Sequence, residues 1–88
     1  MTEEEARSII EEEIRYIVPD ADFELVPDDA ELREELELDS LDFLVLVERL
    51  CIRAHCRIDE DDYPALRSMG SSIHLLISRT SSDSAQQQ

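Results

Sequence analysis

Lysine is absent from this 88-residue chain, and its only basic residues besides two histidines are eight arginines, set against 23 Asp and Glu. A formal charge of −15 at pH 7 leaves no basic surface of the kind that phosphate-backbone binding depends on, so nucleic acid is not an expected partner. Anionic membrane surfaces are disfavoured for the same reason. Glycine occurs once, at Gly70, which rules out a glycine-rich phosphate loop. The two cysteines, Cys51 and Cys56, make neither a disulfide framework nor a zinc motif. They are expected to be reduced and to fill space as small apolar residues. On one helix their spacing would turn them to different faces. No apolar run reaches membrane-spanning length and no signal-peptide pattern is visible, so the expected location is the cytoplasm, without membrane insertion. A chain this short buries only roughly 60–65% of the surface its unfolded form exposes. It has little room for a deep catalytic cleft, and independent enzymatic activity is not expected.

What the chain does have is an acidic field, and it is unevenly placed. Twenty-two acids and six arginines precede Tyr63, whereas one Asp and two Arg lie from Tyr63 onward. Such a field favours partners with basic docking patches, reached by electrostatic steering.

The apolar spacing is helical. Thr2-Glu3-Glu4-Glu5 reads as a capping box, followed by the stripe Ala6, Ile9, Ile10, Ile14, Ile17 and Val18. Pro19 closes this first helix, over about residues 3–18. Residues 19–39 form a long connection whose Phe23, Leu25, Val26, Leu32, Leu36 and Leu38 are expected to pin it to a core, with a helical turn at residues 32–36. Long loops in compact domains are usually functional or disordered, and the apolar pins favour order. Asp39 or Ser40 caps the main helix, which is apolar over more than one stripe. Asp42 lies in its first turn, where a carboxylate is favourable. Asp59-Glu60-Asp61-Asp62 opens a short third helix through Leu66, Met69-Gly70 is expected as a turn, and Ser71 or Ser72 caps a last helix. The expectation is an all-α domain over residues 1–79: a small four-helix bundle of three main helices and a short third one, with a long first loop. Residues 80–88 are expected to be a disordered Ser- and Gln-rich tail.

The segment carrying chemistry is Leu38-Asp39-Ser40-Leu41-Asp42-Phe43. It puts a serine hydroxyl at a helix start, on the end of a long loop, where free N–H groups suit a phosphate ester. Leu41 is expected to lock the helix start into the core. An Asp-Ser before an apolar run is by itself an ordinary helix start, but length, acidity, helix order and the long first loop accompany it.

Over roughly residues 5–77 the chain resembles the acyl carrier protein family, whose Asp-Ser-Leu-Asp motif stands here as Asp39-Ser40-Leu41-Asp42. Residues 58–66 followed by Met69-Gly70 resemble that family's third helix and the turn after it. The resemblance implies that Ser40 receives 4′-phosphopantetheine from coenzyme A, through a magnesium-dependent phosphopantetheinyl transferase. The arm then holds an acyl group as a thioester. Asp39, Leu41 and Asp42, with Val45, Glu48 and Ile52, are the expected recognition residues. Expected partners are the transferase, an acyl- or aminoacyl-loading enzyme, and acyltransferases or synthases, with the carrier itself monomeric. Ile10, Ile14, Leu44, Val47, Leu50, Leu66 and Ile73 are candidates to line an apolar cavity, or simply core. Ser40→Ala is expected to abolish loading and to lose about 1 kcal/mol of capping.

The chain departs from the family where fatty-acid-synthesis carriers bear docking glutamates along the second helix. The fifth, eleventh and twelfth positions after the serine are Val45, Cys51 and Ile52. His55 stands where a glycine often ends that helix, and Asp59 where a proline often follows. These changes imply a specialised carrier that docks partly through apolar contacts, or residues buried by a shifted loop. Asp59 to Asp62 is not a calcium loop, because Pro64 and Gly70 occupy the positions of the required glycine and bidentate acid. His55 and Cys56 have no partner at metal or nucleophile spacing. Three readings stand: an acyl carrier for fatty acid, lipid or polyketide chemistry, an amino-acid carrier of the same fold, and an unmodified acidic helical adaptor.

Overall fold

The first helix starts where the sequence says it should. Thr2 accepts from the Glu5 N–H at 3.1 Å, and the Glu5 carboxylate accepts from the Thr2 N–H at 2.9 Å. This satisfies two N–H groups that a helix start otherwise leaves open. The computed structural model describes residues 1–85, with side chains through Thr80. Its elements are α1 (Glu3–Ile17), a 3₁₀ turn (Phe23–Leu25), α2 (Leu32–Glu35), α3 (Ser40–Ala54), a 3₁₀ segment (Glu60–Leu66) and α4 (Met69–Ala85). Among the described residues there is no strand, and the architecture is a small all-helical bundle.

In the bundle α1 packs on both α3 and α4, and α4 packs on the 3₁₀ segment. The core is aliphatic: Ile10, Ile14, Leu50 and Leu76 are fully buried. Six of the seven candidate lining residues belong to it, and Leu44 does not, being about half exposed. Glu13 is buried between α1 and α3 and accepts from Arg49 Nε at 2.5 Å and Arg53 Nη1 at 2.9 Å.

The long first connection is ordered by its pins. Leu32 and Leu38 are buried, and Phe23, Val26 and Leu36 pack partly buried against the core. Each fully buried leucine contributes about 1.5–3 kcal/mol, which offsets the roughly 1–2 kcal/mol of ordering one residue. Leu25 does not pin: it lies exposed. With three residues per 3₁₀ turn, Phe23 and Val26 share a face and Leu25 falls outside it. The salt bridge Arg7–Asp28 at 2.6 Å holds the middle of the connection to α1.

Two expectations at the C-terminal end are corrected. The last helix is opened by Ser68, whose Oγ accepts from the Ser71 N–H at 3.2 Å, so Ser71 stands one turn inside. Met69-Gly70 is therefore helical rather than a turn. Gly70 allows a close approach: its N–H donates to the Asp28 carbonyl at 3.0 Å, and a Cβ there would make a tight contact, 3.3 Å from that oxygen. The tail expected from Thr80 is helical through Ala85. No Gly or Pro follows Gly70 to stop the helix, and adding residues to a formed helix costs little. Residues 86–88 of that expected tail lie outside the described residues.

Candidate functional site

Residues Leu32 to Asp42 build the site. The last turn of α2 closes as a Schellman motif, with Glu37 left-handed at φ 55°. The Leu38 N–H bonds back to the Arg33 carbonyl at 2.9 Å and the Glu37 N–H to that of Glu34 at 3.4 Å. This reversal brings Arg33 beside the helix that follows. Asp39 is the cap of α3: its Oδ1 accepts from the Asp42 N–H at 2.8 Å, and Asp42 Oδ2 accepts from the Asp39 N–H at 3.5 Å. The motif acids thus set the helix start, and Ser40 is its first helical residue, exposed to solvent.

Because Asp39 does the capping, the loss expected for Ser40→Ala belongs to Asp39 instead. Leu41 is also corrected. It is 63% exposed, and Phe43, two residues on, takes the buried position instead. At 100° per residue, Leu41 stands about 200° round the helix from Phe43. Phe43 meets Tyr63 edge to face, with ring centroids 5.2 Å apart.

Arg33 Nη2 lies 3.5 Å from Ser40 Oγ, and the guanidinium stacks 5.1 Å from the centroid of Phe43. Together these residues edge an open cleft of about 420 Å³, whose walls include Leu44, Tyr63, Pro64 and Leu66 and which Glu31 and Arg67 flank. The wall opposite α3 is tied down from α4. Arg79 donates to both Asp62 oxygens, at 2.5 and 2.8 Å, and to the Arg57 carbonyl at 3.1 Å. Arg79, with the Asp59 N–H, holds the Asp62 carboxyl below its ordinary value, while Asp62 raises Arg79. The Leu32 N–H donates to the Arg67 carbonyl at 2.8 Å, joining α2 to the same wall.

Of the expected recognition residues, Asp39, Leu41, Val45, Glu48 and Ile52 are exposed and Asp42 is half-buried. Val45 is 38% and Ile52 71% exposed, so a shifted loop does not bury them. With Leu41 and Leu44 they give α3 an outward apolar stripe, interrupted by Glu48. Cys51 is half-buried, and Cys56 lies past the end of α3 rather than on it, with left-handed His55 (φ 53°) between. Asp59 to Asp62 form the start of the 3₁₀ segment, with the Asp59 N–H donating to Asp62 at 2.9 Å.

Sequence reasoning missed Arg33, Tyr63 and the Asp62–Arg79 tie. Arg33 is seven residues from Ser40, a separation at which no helical or strand spacing makes neighbours. Its scarcity as a cation was the one available signal. Among the described residues no group of three His, Cys, Asp or Glu is placed to hold a metal, and no helix is long and apolar enough to cross a membrane. Comparison with protein-family models, with curated proteins and with solved structures finds no match.

Proposed function

We propose that this chain is a carrier protein that bears 4′-phosphopantetheine on Ser40 and delivers thioester-bound acyl groups to partner enzymes. The observation that carries the reading is the exposed Ser40 hydroxyl at the rim of a cleft with Arg33 beside it. The residues fit the group. A phosphoester on Ser40 Oγ stands next to a guanidinium, and the cleft beyond has an apolar wall. When bound, the arm supplies a terminal thiol and the reach to carry its cargo between active sites, raising the local concentration there.

The chain's own residues have simpler tasks. Asp39 and Asp42 fix the helix start, so that Ser40 Oγ is held at one place on the surface. In this reading the modifying enzyme removes the hydroxyl proton and supplies the metal, which is why the chain needs no base of its own. The outward stripe of α3, with Leu41, Leu44, Val45 and Ile52 about Glu48, is the proposed docking face for the transferase, the loading enzyme and the acceptors. Apolar contact there takes the place of the acidic contacts of fatty-acid-synthesis carriers, which supports the reading of a specialised carrier in a fatty acid, lipid or polyketide pathway. The same stripe favours a second reading, an adaptor that is never modified, because apolar docking needs no phosphoester. An amino-acid carrier differs from the first reading only in its loading enzyme.

Intact mass after incubation with coenzyme A, magnesium and a promiscuous phosphopantetheinyl transferase tests the proposal. The wild type is expected to gain one phosphopantetheine and Ser40→Ala none. A folded wild type that gains nothing, with the cognate transferase as well, leaves the adaptor.

A further inference from the structure

Arg33 is out of keeping with the charge balance of its surroundings. Carboxylates outnumber arginines almost three to one. Arg7, Arg49, Arg53, Arg57 and Arg79 each hold one within 4 Å. Among the described residues Arg15, Arg33 and Arg67 have no carboxylate partner, and of these three Arg33 alone meets the Ser40 hydroxyl. Its contacts are the face of Phe43 and the oxygen of Ser40. The guanidinium carbon lies over the Phe43 ring, and Nη2 reaches towards Ser40 Oγ across 3.5 Å, at the outer limit of a hydrogen bond. A neutral hydroxyl is a poor match for such a donor. A phosphate oxygen two bonds beyond Oγ is a much better one, because guanidinium and phosphate pair with charge and in the plane.

Resting on the carrier reading, we infer that Arg33 is a positioning residue that clamps the phosphoester on Ser40 and turns its substituent along the cleft rather than out into solvent. The backbone supports the role. Arg33 lies in the Schellman turn of α2, its carbonyl is bonded by the Leu38 N–H, and Leu38 is buried. The guanidinium is therefore carried on an anchored turn and not on a mobile loop. Arg15, which shares the missing carboxylate, lies over the Phe23 ring and outside this cleft. It serves as the control.

The test uses the full chain, loaded with phosphopantetheine and checked by intact mass, as wild type, Arg33→Gln, Arg33→Lys and Arg15→Gln. Phosphorus NMR reports the phosphodiester itself, through its chemical shift and its relaxation, and circular dichroism checks the fold. In the wild type the phosphorus is expected to relax with the domain. In Arg33→Gln its clamped population should fall about tenfold, the scale of one charge-assisted hydrogen bond, and the signal should narrow. Arg33→Lys should recover part of the effect, and Arg15→Gln should resemble the wild type. Loaded, folded variants with identical phosphorus spectra overturn the clamp and leave the carrier reading standing. Absence of loading in a folded wild type overturns both, through the mass alone.

Discussion

Replacing Glu13 by Gln should destabilise the fold by about 2 kcal/mol, a figure bracketed by two kinds of ion pair. Breaking a fully buried pair costs about 3–5 kcal/mol, while exposed pairs are worth about 0–1. Glu13 belongs near the first kind, with its side chain 8% exposed, but Arg49 and Arg53 are 36% and 41% exposed and stay partly hydrated when it is lost. Gln keeps the shape and one acceptor, and turns an amide N–H₂ towards a guanidinium. For a domain of this size about 2 kcal/mol lowers the melting temperature by about 10 °C. Urea titration should show a lower midpoint with an unchanged slope. The sign is informative. In a chain of net charge −15, removing one negative charge by itself relieves self-repulsion and should stabilise slightly. Glu12, whose side chain is 53% exposed and which also meets Arg53, provides the contrast: Glu12→Gln should leave the midpoint unchanged or slightly raised. The loss in Glu13→Gln should also persist at high salt, since half-buried pairs are screened less than exposed ones. A Glu13→Gln midpoint within about 0.5 kcal/mol of wild type, the range of an ordinary surface change, would refute the reasoning.

Three further outcomes follow from the geometry. Asp39→Ala removes the cap of α3 and should cost about 1 kcal/mol, whereas Ser40→Ala should be neutral in the same denaturation assay, because Ser40 makes no capping bond. His55→Gly should stabilise by about 0.5–1 kcal/mol: the left-handed position costs a residue with a Cβ roughly 1–2 kcal/mol, and glycine's larger unfolded-state entropy returns part of it. A lower midpoint for His55→Gly would show that the exposed imidazole makes a contact that matters. The Asp62–Arg79 tie should be acid-sensitive. Asp62 has its carboxyl depressed in the folded state, so its contribution is complete above the unfolded value near pH 4 and is lost as pH falls through the folded one. The gap in midpoint between wild type and Asp62→Asn should therefore be constant from neutral pH to about pH 5 and close at lower pH. A gap undiminished at pH 2 would assign the effect to packing.

What was legible in the sequence was mainly what is decided locally. Thr2 with Glu5 marked a helix start because cap and acceptor lie within one turn, and the same logic narrowed the start of α3 to Asp39 or Ser40. The choice between them depends on which oxygen reaches the Asp42 N–H, which the order of residue types does not state. Ser68 caps α4 although the sequence points past it to Ser71 or Ser72, because Gly70 resembles a turn. Its actual role, making room for the Asp28 carbonyl, comes from a segment some forty residues away. Arg33 and the Asp62–Arg79 tie are likewise contacts made by chain reversal, beyond any periodicity.

The surplus of apolar residues on α3 shows where local reading stops and packing takes over. Phe43, Leu46, Val47, Leu50 and Ala54 follow steps of three and four residues and are all buried. One such stripe is what a helix presents to its neighbours in a small bundle. A helix with more apolar residues than a stripe holds must leave some outside, so the excess was readable from the sequence as a count. Its direction was not. A rotation of 100° would have buried Leu44 and exposed Phe43. What excludes that rotation is the edge-to-face contact of Phe43 with Tyr63, together with the Asp39 cap that fixes where the helix begins. The register that buries Phe43 also puts Ser40 beside Arg33 and turns Leu41, Leu44, Val45 and Ile52 outward. The candidate attachment point and the candidate docking stripe are thus two results of one packing choice. A substitution that rotates α3, such as Phe43→Ala, should disturb both together, whereas Ile52→Ser should weaken docking and leave Ser40 where it is.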